Sequence, residues 1–140
     1  FSAKFGSIDN DIIYKDGVWH LFYKGNTKDE SGKEIKNGIQ KATSTCLQGP
    51  WTEDFKYYDA YAGKTPVEGS SIFKLNDSET YILMYDLYTS GKYEYQSSHD
   101  LCEFDSVPKA FVKDFFPRHG SVISVTQKEL DVLQAKWGKK

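Results

Sequence analysis

The sequence predicts an all-β domain of the β-propeller kind, and three observations predict it. First, the chain repeats itself. The run Ile8-Asp9-Asn10-Asp11-Ile12-Ile13-Tyr14-Lys15 returns as Val67-Glu68-Gly69-Ser70-Ser71-Ile72-Phe73-Lys74, and again, shortened, as Arg118-His119-Gly120-Ser121-Val122-Ile123. From Ile13 to Ile72 is 59 residues, and from Ile72 to Ile123 is 51; periods of this order signal solenoids, propellers or arrays. Second, each copy holds short β-type runs separated by Gly, Asn and Asp, which fits a sheet-built unit better than a helical one. Third, aromatic residues make up 16% of the chain, and such side chains suit pleated, half-buried surfaces.

The elements follow in order. A first strand is predicted over about 11–15, entered through Asp9, and Asp16-Gly17 turns it into a second strand over 18–24. Residues 25–37 are polar and charged (Lys28, Asp29, Glu30, Lys33, Glu34) and read as an exposed loop. A third strand over about 38–44 ends before a turn at Gly49-Pro50. Residues 55–65 carry Tyr57, Tyr58 and Tyr61 with few β-branched residues, so they read as an irregular connection or an outer strand.

The second copy runs from about 67 to 104, with Val18-Trp19-His20-Leu21-Phe22-Tyr23-Lys24 matched by Thr80-Tyr81-Ile82-Leu83-Met84-Tyr85-Asp86. Its first turn falls at Asn76-Asp77. Residues 105–117 again link an outer strand to an inner one, and a strand over 121–125 begins a third copy. Thr126 and Glu129 then form a T-x-x-E capping box, and Leu130, Leu133 and Trp137 follow helical spacing, which predicts a short helix over about 127–137.

The chain thus reads as one partial domain over 1–140, with copies at about 8–51 and 67–104 and a third begun at 118–125. Two copies leave open edges, and propellers close with about four to eight blades. The expectation is a missing propeller half or a homo-oligomer partner. The chain opens at Phe1 and not Met, so upstream processing or truncation is expected too.

The bulk properties exclude some classes. A formal net charge of −2 with no basic run before Lys139-Lys140 argues against nucleic acid as a partner. No stretch reaches the ~20 apolar residues of a membrane helix, so no membrane partner is expected. Cys46 and Cys102 stand alone at similar places near the ends of neighbouring copies, which separates them, and no CxxC or Cys/His spacing suggests a metal site.

Chemistry enters with the repeat. Aligning Ile13, Ile72 and Ile123 puts Asp9, Glu68 and His119 in register at three strand entrances. In a propeller such positions converge on one mouth of the channel. Two carboxylates facing one pocket are the arrangement of glycoside hydrolysis, one as acid and the other as base or nucleophile. The acid must hold its proton near neutral pH, which partial burial and a neighbouring carboxylate achieve. The same residues have a bland alternative: Asp and Glu before strands satisfy loop amides, and a lone His is often a structural residue.

The string Val67-Glu68-Gly69-Ser70-Ser71-Ile72-Phe73-Lys74, followed by Tyr81-Ile82-Leu83-Met84-Tyr85-Asp86, resembles the glutamate blade of glycoside hydrolase family 43, with Ser70 in place of a common Pro. Ser7-Ile8-Asp9-Asn10-Asp11-Ile12-Ile13 with Gly17-Val18-Trp19-His20-Leu21-Phe22-Tyr23-Lys24 resembles the preceding blade. Ala42-Thr43-Ser44 with Leu47-Gln48-Gly49-Pro50-Trp51 resembles its closing run. Pro117-Arg118-His119-Gly120-Ser121-Val122-Ile123 resembles the R-H-G-[ST]-V-I start of a later blade. The resemblance covers about 8–125.

The resemblance implies a five-bladed propeller and an inverting glycosidase acting on arabinose- or xylose-type glycans. It implies Glu68 as general acid and Asp9 as the aspartate that holds it and raises its pKa, with Asp11 as the fallback. Arg118 becomes a sugar or carboxylate contact, and Asp86 and Tyr88 become candidates to reach substrate, with the cap of its own turn as the equal alternative for Asp86. His119 matches a histidine near the channel axis, often beside a calcium ion or water; the reaction requires no cofactor. Such enzymes are often extracytoplasmic, periplasmic or secreted. Glu68-Gly69, an E-G and not an E-C pairing, argues against the fructan-cleaving relatives.

The family's general base lies well before the copy that contains Asp9, and none of the eight residues ahead of Asp9 is acidic. The alternative is therefore a non-catalytic glycan-binding or self-assembling half-propeller. Trp19, Tyr23 and Tyr85 read as packing residues, while Tyr57, Tyr58 and Tyr61, just before Glu68, are the better candidates for stacking on sugar.

Overall fold

The computed structural model describes residues 1–28, 32–112, 115 and 118–138, the side chains of 27, 28 and 34–36 excepted. Turn chemistry folds the first copy into an antiparallel meander: β1 (Ser7–Lys15), β2 (Val18–Lys28), β3 (Glu34–Ser44) and a two-residue β4 (Thr52–Glu53), paired in that order. The second copy repeats it as β5 (Glu68–Lys74), β6 (Tyr81–Leu87), β7 (Lys92–Ser98) and β8 (Lys109–Ala110). The fold is all-β apart from α1 (Gln127–Trp137).

Strand periodicity sorts the apolar side chains onto two faces of each sheet. Phe22 and Ile39 of the first sheet, with Ile13 beside them, pack against Ile72, Tyr81, Leu83, Tyr85 and Leu87 of the second. Val67, Tyr58 and Leu101 complete this core between the sheets. Leu21, Tyr23 and Ala42 face the other way, against Ala3 and Trp51. Ile82, Met84 and Tyr93 form the far face of the second sheet, with Phe73, Tyr95 and Phe111.

The faces that meet are unlike. Leu21 pairs with Ile12 as Leu83 pairs with Ile72, so the two leucines are equivalent. Leu83 looks into the core between the sheets, whereas Leu21 looks away from it. The sheets therefore follow one another in the same sense and do not close as a two-fold sandwich.

Both copies carry a β-bulge near the start of the inner strand. Ile8 pairs with Lys24 and Asp11 with Phe22, so Asp9 and Asn10 together oppose Tyr23. Glu68 pairs with Asp86 and Ser71 with Met84, so Gly69 and Ser70 oppose Tyr85. Asp9 (φ 56°) and Gly69 (φ 63°) take the left-handed conformation such bulges use. The bulges shift the repeat by one residue from the sequence alignment: Glu68 is equivalent to Ile8, and Asp9 to Gly69.

Four further differences have physical causes. The predicted loop 25–37 is largely strand, because β2 and β3 go on pairing through Thr27–Ile35 and Lys28–Glu34. This hairpin has no apolar alternation, so the sequence pattern stopped at 24. Residues 29–31 of that loop lie outside the described residues. The outer strand of the first sheet is Thr52–Glu53, and 55–65 is irregular. Buried Asp59 organises that segment by accepting from the backbone N–H groups of Ile39 (2.9 Å), Tyr61 (2.9 Å) and Ala62 (3.0 Å).

The second outer strand, β8, lies within the predicted link 105–117, of which 113, 114, 116 and 117 are outside the described residues. The predicted strand 121–125 is not a strand: it pairs with no described strand, and a lone strand has no ladder to satisfy its backbone. The helix is as predicted, with Thr126 and Glu129 forming a reciprocal capping box and no residue of α1 buried.

Tyr58 and Tyr61 are not sugar platforms. Tyr58 is buried in the core, where Lys41 Nζ lies 4.3 Å from its ring centre and donates to Leu101 O at 2.8 Å. Tyr61 donates to Glu94 Oε2 at 2.5 Å and packs edge-on against Tyr85. Tyr23 and Tyr85 are packing residues, fully buried. Cys46 and Cys102 are free thiols.

His20 is buried on β2, and its Nδ1 has no hydrogen-bond partner. Burial, with help from the charges of Lys41 and Lys15, lowers its pKa to about 4 from an ordinary 6.5. The unfolded chain therefore takes up this proton first. The contribution of neutral His20 is fully present above pH ~6.5 and lost as pH falls towards about 4. Urea unfolding at pH 7 and pH 4 should show a pH-dependent loss smaller by about 2 kcal/mol in His20→Leu than in the wild type. Equal losses in the two proteins would remove His20 from the account.

Candidate functional site

The site forms where β1 meets β5, and carboxylates knit that junction. Asp9 Oδ2 accepts from Gly69 N at 3.0 Å, and Asp9 O accepts from the Ser70 hydroxyl at 2.7 Å. Asp11 accepts from Ile12 N and Ile72 N, both at 2.9 Å. Its carboxylate is thus committed to backbone, so Asp11 does not serve as the fallback for Asp9. Asp9 keeps one oxygen, Oδ1, directed towards His119 Nδ1 at 3.7 Å.

Glu68, opposite Asp86 at the start of β5, is the centre. Its Oε2 accepts from Lys24 Nζ at 2.7 Å. Its Oε1 lies 3.3 Å from His119 Nε2 and 3.9 Å from Arg118 Nη2. Asp86, almost fully buried, accepts from Arg118 Nε at 3.0 Å, and Arg118 O accepts from the Tyr93 hydroxyl at 2.8 Å. Arg118 is therefore anchored at its Nε and its backbone, with the end of the guanidinium left towards solvent.

Asp9, Glu68, His119, Arg118 and Asp86 do come together. Two of them, Asp86 and Glu68, differ from expectation, and Tyr88 contacts Lys24 and Asn37. Asp86 anchors Arg118 from inside the fold and does not present itself to a ligand. Tyr88 lies beside Lys24, whose Nζ is 5.2 Å from its ring centre, and accepts from Asn37 Nδ2 at 3.3 Å. Glu68 also titrates the other way. Burial pushes its pKa up, but the hydrogen bond and charge of Lys24, reinforced by His119, outweigh it and hold the carboxyl below its ordinary value. In this arrangement Glu68 is a carboxylate at neutral pH.

Lys24 is the residue the sequence reading missed. The signal was present: in the repeat Lys24 matches Asp86, and both sit opposite the residue before a bulge. Only the fold shows that their side chains serve the same carboxylate from two sides, Lys24 directly and Asp86 through Arg118.

One ligand atom each from Asp9, Glu68 and His119 lies within 4.8 Å of the others. Calcium, the ion that the resemblance suggests, takes about six to eight oxygen ligands. Here the set is two carboxylates and an imidazole, one carboxylate is already neutralised by an ammonium, and the other is bonded to a backbone amide. These residues do not fit calcium.

The same closeness limits the acid–base roles. Inversion needs about 6.5–9.5 Å between carboxyls to admit a water. Asp9 and Glu68 approach within 4.8 Å, so they cannot flank a water as an acid and base pair. Their geometry suits a carboxyl and its orienting neighbour.

Comparison with known proteins gives the family. Residues 1–131 match a family described as a probable glycosyl hydrolase domain, related to glycoside hydrolase family 43. The fold is similar to the catalytic domain of the family 62 α-L-arabinofuranosidase of Coprinopsis cinerea, with a TM-score of 0.54 at 18% identity, over 76% of this chain and 32% of that one. A curated protein, arylamine N-acetyltransferase 1 of Rattus norvegicus, is 24% identical over 136 residues, covering 80% of this chain and 47% of that protein. The chain thus spans less than half the length of either.

Gly69 tests the junction. A Cβ there would lie 2.7 Å from His119 Cδ2, on a backbone with φ +63°. Gly69→Ala should cost about 1–2 kcal/mol from the left-handed backbone alone. It should also push the imidazole off Glu68, seen as displaced His119 ring signals in NMR spectra. Unchanged ring signals would mean that the imidazole does not pack there.

Proposed function

The chain belongs to the probable glycosyl hydrolase domain family related to glycoside hydrolase family 43, and from that premise we propose that it forms part of an inverting glycosidase. The substrates are arabinose- or xylose-type glycans. Glu68 gives its proton to the leaving oxygen, and Asp9 orients it. The observation that carries this reading is the convergence of Asp9, Glu68, Arg118 and His119 on one point from three separate segments.

Each group has a distinct task. In the acid step, the Glu68 proton passes to the glycosidic oxygen as the bond to the sugar carbon breaks, and the leaving group departs as an alcohol. Asp9, fixed by Gly69 N, disfavours a second negative charge next to it and so favours the protonated acid. Arg118 offers its free donors to sugar hydroxyls while Asp86 holds its position. Neither Asp9 nor Asp86 suits the base: Asp9 is too close, and Asp86 is buried and engaged. In this reading the base is a residue outside this cluster.

The larger architecture proposed is a five-bladed propeller in which each described sheet is a blade. Two features support it: successive sheets stack in one sense with unlike faces in contact, and inner strands β1 and β5 are neighbours. A second reading, a glycan-binding module without catalysis, is favoured by one observation, the Lys24 ion pair that keeps Glu68 ionised.

In the whole enzyme, Glu68→Gln should lower kcat/KM on alkyl arabinofuranosides or xylosides by about 10²–10⁴-fold. It should leave dinitrophenyl glycosides, whose leaving group needs no proton, much less affected. Equal activity of wild type and Glu68→Gln on the alkyl substrates would remove Glu68 as the acid. Retained glycan affinity without any turnover in the wild type would favour the binding module.

A further inference from the structure

Among the described residues three basic groups face Glu68, and Lys24 is the least exposed of them. The side chain of Lys24 is 15% exposed, against 41% for His119 and 66% for Arg118. Lys24 is also the best fixed. Its backbone pairs with Ile8 of β1 on one side and Ile39 of β3 on the other. Its ammonium lies between the Glu68 carboxylate, at 2.7 Å, and the face of Tyr88, at 5.2 Å from the ring centre.

This placement conflicts with the work of an acid. An ammonium that donates to a carboxylate favours its ionised form, whereas an acid must carry a proton when the bond breaks. The conflict is removed if the ammonium leaves when a glycan arrives. A cavity of about 270 Å³ opens beside Lys24, lined by Phe5, Asn26 and Asn37 among others. It offers an aromatic ring and two amides, a mix suited to a sugar ring and its hydroxyls. Lys24 thus stands between this cavity and Glu68.

Resting on the glycosidase reading, we infer that Lys24 is a positioning residue that latches Glu68 in the ligand-free protein. A glycan bound in the cavity draws the ammonium onto its hydroxyls, and Glu68 then takes a proton from solvent and delivers it to the glycosidic oxygen. Lys24 itself transfers no proton to substrate. Among the described residues the other groups around Glu68 are Asp9 on β1, Asp86 on β6, Tyr88 after β6, Tyr93 on β7, and Arg118 and His119 before α1. β3 contributes the uncharged Asn37, bonded to Tyr88. Lys24 makes the closest ionic contact with Glu68 among them.

The test is a ¹³C NMR titration of glutamate side-chain carboxyls, with Glu68 assigned through Glu68→Gln. In the wild type the Glu68 midpoint should fall below its ordinary value. In Lys24→Met it should rise by about one unit or more, and in Lys24→Arg it should stay low. Lys24→Gln, which keeps a donor but not the charge, is a second removal should Lys24→Met fail to fold. A midpoint the same in both removals as in the wild type would overturn the latch.

A second arm follows kcat/KM, which reports the ligand-free enzyme, against pH on alkyl glycosides in the whole enzyme. The alkaline limb should move up in Lys24→Met as the carboxyl does, and a limb that stays put would overturn control of the acid by Lys24. Absence of any hydrolysis by the wild type would instead overturn the glycosidase reading, while the carboxyl titration still decides the ion pair.

Discussion

The contact between β1 and β5 is the constraint on which the rest depends. Two sheets that each hydrogen-bond only within themselves have no ladder to fix their mutual register. Here Asp9 and Asp11 supply one from side chains, by accepting from Gly69 N and Ile72 N. Hydrogen bonds to charged groups contribute about 1.5–3 kcal/mol each. That suffices to set where one inner strand lies along the next, while the apolar core between the sheets supplies bulk adhesion without direction.

That register decides the chemistry. The bulge in β1 turns the Asp9 carboxylate out of the strand pattern and onto the neighbouring strand. The bulge in β5 puts glycine where His119 must approach closely. Glu68 stands just ahead of that bulge, where groups from β1, β2 and the segment before α1 can all reach it. The bulges are thus paired devices, one holding a carboxylate and the other making room for an imidazole. Charge balance follows, because the buried or half-buried carboxylates at the junction are each met by a backbone amide or a cation.

The ionic order around Glu68 sets its charge. Lys24 from inside and His119 and Arg118 from outside bias the carboxyl towards its charged form. Asp9 and burial bias it towards the neutral form. The lowering influences prevail, and Glu68 is held below its ordinary value. A carboxyl surrounded only by apolar groups would keep its proton but could not be switched by a ligand.

The sequence by itself determined the strand cores of both copies and α1, but not the extension of β2 and β3, nor β8, nor the irregular course of 121–125. Asp16-Gly17 and Asn76-Asp77 marked turns, the Thr126–Glu129 box began α1, and the strand cores of both copies lay where alternation placed them. These signals are local, set by φ preferences and the two-residue period. It also named Asp9, Glu68 and His119 through the repeat, with Asp9 and Glu68 one residue out of structural register, and Arg118 through the family resemblance. What only the tertiary structure decided was which atoms meet. The one-residue shift at the bulges, the withdrawal of Asp11 into backbone bonding, the burial of Asp86 under Arg118 and the ion pair of Lys24 with Glu68 all join residues far apart in the chain. Local propensity holds no record of such pairings, since their energy arises only when the two sheets are already packed together.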